Sequence, residues 1–165
     1  MDHPRQADLP SLVDALVDAG IDFIVVGGAA AVIHGAPSMT QDLDIVPSLD
    51  DANATRLLRL LDTLDAYVRE PGSRRLRPQR DHLTAAGQIH LSTVLGPLDL
   101  LGRLHDGRGF TELEPHSEVM GDGERTIRVL DLPTLIEVKS AAGRARDKLV
   151  LPWLLALLSE RESTK

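Results

Sequence analysis

Residues 21–35 read Ile21-Asp22-Phe23-Ile24-Val25-Val26-Gly27-Gly28-Ala29-Ala30-Ala31-Val32-Ile33-His34-Gly35, and Thr40-Gln41-Asp42-Leu43-Asp44-Ile45 follows shortly after. The run from Ile21 to Val26 is apolar and rich in β-branched residues, the pattern of a short buried strand. The double glycine that ends it permits backbone conformations and close approaches that a Cβ would block. The alanine-rich segment behind it is a strong helix former until Gly35, Ala36 and Pro37 stop it, so the amides of its first turn would be open to an anion. Asp42, Leu43, Asp44, Ile45 and Val46 then alternate polar and apolar. On an extended strand this puts both carboxylates on one face and Leu43 and Ile45 on the other. Adjacent carboxylates repel each other, and a divalent cation is the usual way to hold them together. Oxygen ligands of this kind suit Mg²⁺ that is also bridged by nucleotide phosphates.

Outward from this stretch, Leu12, Ala15, Leu16 and Ala19 have helical spacing, which predicts a helix over Leu9–Ala19 with Ser11 as a cap and Gly20 as a stop. After Pro47-Ser48, a helical period resumes from Asp50 to Asp65. His82-Leu83-Thr84-Ala85 and Ile89 to Val94, separated by Ala86-Gly87-Gln88, read as two strands of a hairpin. Gly96-Pro97 is a turn signal, so Leu98-Asp99-Leu100-Leu101 is expected as a strand antiparallel to its predecessor, carrying a third carboxylate. Gly102 to Gly123 holds five glycines and many charges without a period, and reads as irregular structure with at most one short helix. Thr126–Leu130 is expected as a strand, Leu132–Ala142 as a helix opened by Pro133, and Arg144–Glu160 as a last helix kinked at Pro152.

The 165 residues suit one domain, residues 1–165, with a single core. Aromatic residues are only 2% of the chain, so the core must come from Leu, Val, Ile and Ala, and stacking of bases on aromatic platforms is not expected. No cysteine is present, which excludes disulfides, zinc-thiolate sites and cysteine nucleophiles. Met1 to Pro10 lacks the order of a signal peptide, and Leu149 to Leu158 is too short to span a bilayer, so a cytoplasmic protein without membrane contact is expected. The net charge of −7 argues against a whole-surface nucleic-acid footprint. Arg69, Arg74, Arg75, Arg77 and Arg80, with Pro71, Gly72 and Pro78 among them, form the densest positive run. It reads first as a solvated loop and second as a contact for a polyanionic substrate. His34 reads as a packed or capping residue rather than a ligand.

Taken in order, a hydrophobic strand, Gly27-Gly28, a helix, Asp42-Leu43-Asp44-Ile45 after thirteen intervening residues and a later Leu98-Asp99-Leu100 resemble the nucleotidyltransferase fold of the DNA polymerase beta superfamily. His34-Gly35, Thr40 and the tail from Lys139 to Lys148 resemble its branch of AbiEii-type toxin nucleotidyltransferases. The resemblance implies an α/β (α+β) fold, a mixed sheet flanked by helices with further helices at the C-terminal end. It implies Asp42, Asp44 and Asp99 as catalytic metal ligands for Mg²⁺ or Mn²⁺, and Gly27 and Gly28 beside a nucleoside triphosphate. Lys139, Arg144 and Lys148 are the cations that would meet the nucleotide, with Asp147 as a residue that could pair with them instead. The implied reaction moves a nucleoside monophosphate to a hydroxyl of RNA, protein or a small molecule. The toxin-like branch favours RNA or protein and adds an antitoxin partner. Two positions depart from the pattern: Ala29 stands where a serine often follows the glycines, and Ser38 where relatives often carry arginine. They keep open a second reading, a non-catalytic nucleotide- or partner-binding module with the same fold.

Overall fold

The computed structural model describes residues 2–69, 75–84 and 87–164. Seven strands form one mixed sheet: β1 (Phe23–Val26), β2 (Leu43–Pro47), β3 (Tyr67–Val68), β4 (Gln88–Ser92), β5 (Leu98–Leu101), β6 (Ser117–Gly121) and β7 (Thr126–Leu130). Their order across the sheet is β3-β4-β5-β2-β1-β7-β6. The β1/β7 and β2/β5 pairs are parallel, and the other neighbours are antiparallel. Seven helices are described: α1 (Leu9–Asp18), α2 (Gly27–His34), α3 (Asp51–Thr63), α4 (Arg80–Thr84), α5 (Phe110–Leu113), α6 (Leu132–Ala142) and α7 (Ala145–Ser163). Helices α2, α6 and α7 pack on one another, and α3 packs on α1 and α4.

The core is aliphatic, as the shortage of aromatics requires: Leu12, Leu16, Ile24, Leu43, Ile45, Leu57, Leu61, Leu98 and Leu130 are fully buried. Burying such a side chain contributes about 1.5–3 kcal/mol, so strands this short are held by packing rather than by their own propensity. Helix α6 begins as its sequence dictates. Asp131 caps it by accepting a hydrogen bond from the Thr134 N–H at 2.9 Å, and Pro133 occupies the first turn where its missing N–H costs nothing. No helix among the described residues is long and apolar enough to cross a membrane.

The structure corrects four local expectations. Residues 82–84 are not a strand but part of α4, which is too short to show a helical period. Its opening turn is closed by the His82 Nδ1, which accepts from the Gln79 N–H at 2.7 Å. The antiparallel partners of β4 are β5 and the two-residue β3, and residues 85–86 lie outside the described set. Residues 102–123 hold more order than one short helix. After α5 and a 3₁₀ turn at Glu114–His116, β6 pairs with β7 along its whole length at the sheet edge. Finally, Asp8 rather than Ser11 caps α1, accepting from both the amide and the hydroxyl of Ser11.

Candidate active site

Val26, Asp44, Asp99 and His90 are register partners on β1, β2, β5 and β4, one row across four neighbouring strands. Directly opposed residues present their side chains to the same face, so this register aligns Asp44 and Asp99, and the period of two adds Asp42. One oxygen from each of the three carboxylates lies within 4.8 Å of the others. Asp99 is buried, while Asp42 and Asp44 are half-buried. The convergence expected for the three carboxylates is therefore present, although Asp42 stands one residue ahead of β2.

The two glycines fit this cluster closely. Gly27 has a φ of +63°, and a Cβ there would stand 2.4 Å from Asp44 Oδ2. A Cβ on Gly28 would stand 3.0 Å from the Thr40 hydroxyl, which itself donates to the Asp42 carbonyl at 2.9 Å. Helix α2 thus starts against the carboxylates because its first two residues lack side chains, and no side chain caps its N-terminus. Gly27→Ala is expected to lower stability by about 1–3 kcal/mol through backbone strain alone and to weaken divalent-metal binding by pushing the Asp44 carboxylate aside. Gly28→Ala should cost less, since Gly28 is not in the left-handed region and Thr40, whose Oγ1 and Cβ would stand 3.0 and 3.2 Å from the new Cβ, need yield only slightly. Melting temperatures and Mn²⁺ titrations of the two variants measure both effects.

Burial pushes the Asp44 carboxyl up to about 7, aided by the charges of Asp99 and Asp42 and a hydrogen bond to Asp99, with Arg146 opposing. Burial also raises Asp99, against the pull of Arg69 and with Asp42 adding to the rise. Asp44 Oδ1 is buried and has no hydrogen-bond partner. A buried carboxylate oxygen without a donor is costly, and a bound cation would satisfy it. Three convergent oxygen donors of this type fit a hard divalent ion such as Mg²⁺ or Mn²⁺.

The cluster opens into a cavity of about 730 Å³ whose lining includes Gly27, Gly28, Thr40, His90, Lys139, Arg144 and Arg146. This falls within the range of about 300–1,000 Å³ usual for small-molecule sites. The lining is both acidic, at the carboxylate cluster, and basic, at Lys139, Arg144 and Arg146. Lys139 and Asp147 are both buried and pair at 3.1 Å, while Arg144 reaches the other Asp147 oxygen at 2.9 Å. Burial alone would raise the Asp147 carboxyl, but hydrogen bonds from Arg144 and Lys139 outweigh it and hold it below its ordinary value. Lys148, the third cation expected here, is exposed and is not among the lining residues. Arg146 lines the cavity in its place.

His34 is packed as expected. Its Nε2 lies 2.8 Å from the Leu130 carbonyl and its Nδ1 3.4 Å from Arg161. The arginine run is largely engaged with its own chain. Arg77 binds Asp65 and the Ala66 carbonyl, Arg80 donates to the Thr55 hydroxyl at 2.6 Å, and Arg75 lies over the Tyr67 ring at 5.0 Å. Arg74 lies outside the described residues. Arg69 pairs with Asp99 and, at 3.5 Å, with Asp42. Neither this contact nor the 3.1 Å approach of His90 Nδ1 to Asp99 Oδ2 was anticipated from the sequence. The His90 approach follows from the register of the β4/β5 pair, and the Arg69 contact from the placement of β3 beyond β4, which no local pattern encodes.

No family model and no curated protein sequence matches the chain. Solved structures do match. The lincosamide antibiotic adenylyltransferase LnuA, in a lincomycin-bound crystal structure, is similar with a TM-score of 0.63 at 12% identity, covering 93% of this chain and 99% of its own. The Thermotoga maritima protein TM1012, assigned as a nucleotidyltransferase, is similar with a TM-score of 0.53 at 19% identity, covering 90% of each chain. At such identities the likeness concerns the fold. The chain has an α/β nucleotidyltransferase fold, a seven-stranded mixed sheet flanked by helices.

Proposed function

We propose that this protein is a metal-dependent nucleotidyltransferase that moves a nucleoside monophosphate from a nucleoside triphosphate to a hydroxyl acceptor. The observation that carries the reading is the convergence of Asp42, Asp44 and Asp99 within 4.8 Å, with Asp44 Oδ1 unpartnered beside a glycine turn at a helix start. In this reading Asp42 and Asp44 hold Mg²⁺ or Mn²⁺, and Asp99 completes the set and orients the acceptor hydroxyl. The bound metal would supply activation of that hydroxyl and neutralisation of the pyrophosphate leaving group. Gly27 and Gly28 let the triphosphate approach the backbone amides at the start of α2, where the helix dipole favours an anion. Lys139, Arg144 and Arg146 supply the cations of the same cavity, suited to the charge that develops on the transferred group.

A compact hydroxyl-bearing acceptor is favoured over RNA or protein. The acceptor must enter the same cavity as the nucleotide, and Arg69, Arg77 and Arg80, three of the five cations suggested for a polyanion, are paired within the chain. The lincomycin held by LnuA is an acceptor of this class to try first. The resemblance to AbiEii-type toxins, and with it an antitoxin partner, supports the RNA or protein alternative through His34-Gly35, Thr40 and the 139–148 segment alone.

The test incubates the purified protein with Mg²⁺ or Mn²⁺, each α-labelled triphosphate, and separate pools of small hydroxyl compounds, total RNA and protein. Metal-dependent pyrophosphate release with label transferred to the small-compound pool is expected. Transfer only to RNA or protein would reassign the acceptor. Triphosphate binding without pyrophosphate release in any pool would favour the binding-module reading that Ala29 and Ser38 keep open.

A further inference from the structure

The Asp99 carboxylate already has cationic or hydrogen-bonding company on both oxygens. Arg69 Nη2 pairs with Oδ1, and His90 Nδ1 lies 3.1 Å from Oδ2. The same guanidinium reaches Asp42 Oδ1 through its other nitrogen, at 3.5 Å. The backbone holds Arg69 in position for both contacts, because its N–H donates to the His90 carbonyl at 2.8 Å and extends the β3/β4 pairing by one residue. The side chain therefore spans β4 to meet a carboxylate on β5. Among the described arginines, Arg69 alone forms ion pairs with two of the three clustered carboxylates. A planar, permanently charged fork is suited to bridging two carboxylates in this way.

We propose that Arg69 is a resident counter-cation of the carboxylate cluster, which competes with divalent metal for Asp42 and Asp99, so that metal loads by exchange with the guanidinium. The inference rests on the metal-binding role assigned above. Two cations cannot share the same carboxylate oxygens without repulsion, so whatever Arg69 contributes to the metal-free cluster is subtracted from metal affinity. Linkage makes the relation reciprocal: metal must displace Arg69 as strongly as Arg69 opposes metal. Asp44 has no ion pair with Arg69 among the described residues, and its Oδ1, buried and without a hydrogen-bond partner, is the oxygen of the cluster that needs no exchange to receive the ion.

The test is Mn²⁺ binding to the intact protein without nucleotide, read as free Mn²⁺ by electron paramagnetic resonance. Arg69→Ala is expected to bind Mn²⁺ at least about fivefold more tightly than the parent, the lower end of ordinary coupling between two interacting groups, and to melt at a lower temperature in a chelator. A second measurement covers a variant that fails to fold. The Arg69 Nε–Hε resonance of the parent, identified by its absence from Arg69→Lys, is followed through a Mg²⁺ titration. It is expected to shift with the same midpoint as metal binding. Unchanged or weaker Mn²⁺ affinity in a folded Arg69→Ala, or a resonance unmoved while Mg²⁺ binds, overturns the exchange and leaves the metal site standing. Absence of metal binding in both parent and Arg69→Ala overturns the metal reading and the exchange together.

Discussion

Asp44→Asn is expected to lower nucleotidyl transfer by more than about a hundredfold, beyond the scale at which even a partner behind a metal ligand is felt, while raising the stability of the metal-free protein. Asn keeps the shape of the side chain and removes its charge, so the loss of activity would not come from a disturbed backbone. The gain in stability follows from pH linkage. Folding raises the Asp44 carboxyl from its ordinary 3.8 to about 7. Between these values the folded chain holds a proton that the unfolded chain has released. Metal-free stability from this group therefore falls as pH climbs through that window, and above about pH 7 the full cost is present, up to about 4 kcal/mol. In a chelator the parent should melt lower at pH 8 than at pH 5.5, and Asp44→Asn should show a smaller difference. Saturating Mg²⁺ at pH 8 should restore the parent and leave the variant unmoved. Unfolding of Asp44→Asn, or transfer at the parent's rate, would contradict this.

Lys139→Ala is expected to destabilise the protein by about 3 kcal/mol, the lower end of what removing one partner of a buried ion pair costs. The low end applies because Arg144 stays with Asp147 at 2.9 Å. For a chain of this size that corresponds to a fall in melting temperature of roughly 6–12 °C. Asp147 is 1% exposed, so removing the lysine takes one of two cationic partners from a buried carboxylate. Lys139→Met combined with Asp147→Leu should recover most of the loss, since replacing both members of such a pair by apolar residues is often neutral. The recovered double variant should still bind triphosphate more weakly, a cation having been taken from the cavity wall. A single-variant loss below about 1 kcal/mol, or a double variant no better than the single, would show that the pair carries no such coupling.

The residues that order the site were legible where the information is local. Strand period two put Asp42 and Asp44 on one face, the Gly96-Pro97 turn set β5 antiparallel to β4, and the double glycine marked a close approach that proves to be to the Asp44 carboxylate itself. What escaped was set by distant parts of the chain. Arg69 meets Asp99 only because β3 lies beyond β4 in the sheet, an order fixed by long-range packing, and the contact of His90 with Asp99 needed the exact β4/β5 register, which the turn alone does not give. Strand β6 was hidden because it is an edge: Val119 is 57% exposed and its alternation is blurred by charges and glycines. The cations near the C-terminus read either as phosphate contacts or as partners of Asp147, and the turn between α6 and α7 brings both Lys139 and Arg144 to that carboxylate. In charge-rich segments the partner, not the residue type, decides the role.

A crystal structure after soaking with Mn²⁺ and a non-hydrolysable nucleoside triphosphate, with the metal located by anomalous scattering, tests the metal-nucleotide site most directly. The expected result is an anomalous peak coordinated by oxygens of Asp42, Asp44 and Asp99, with the triphosphate running toward Gly27 and Gly28. A well-occupied nucleotide with no peak among these three carboxylates, or Mn²⁺ bound elsewhere, would contradict it.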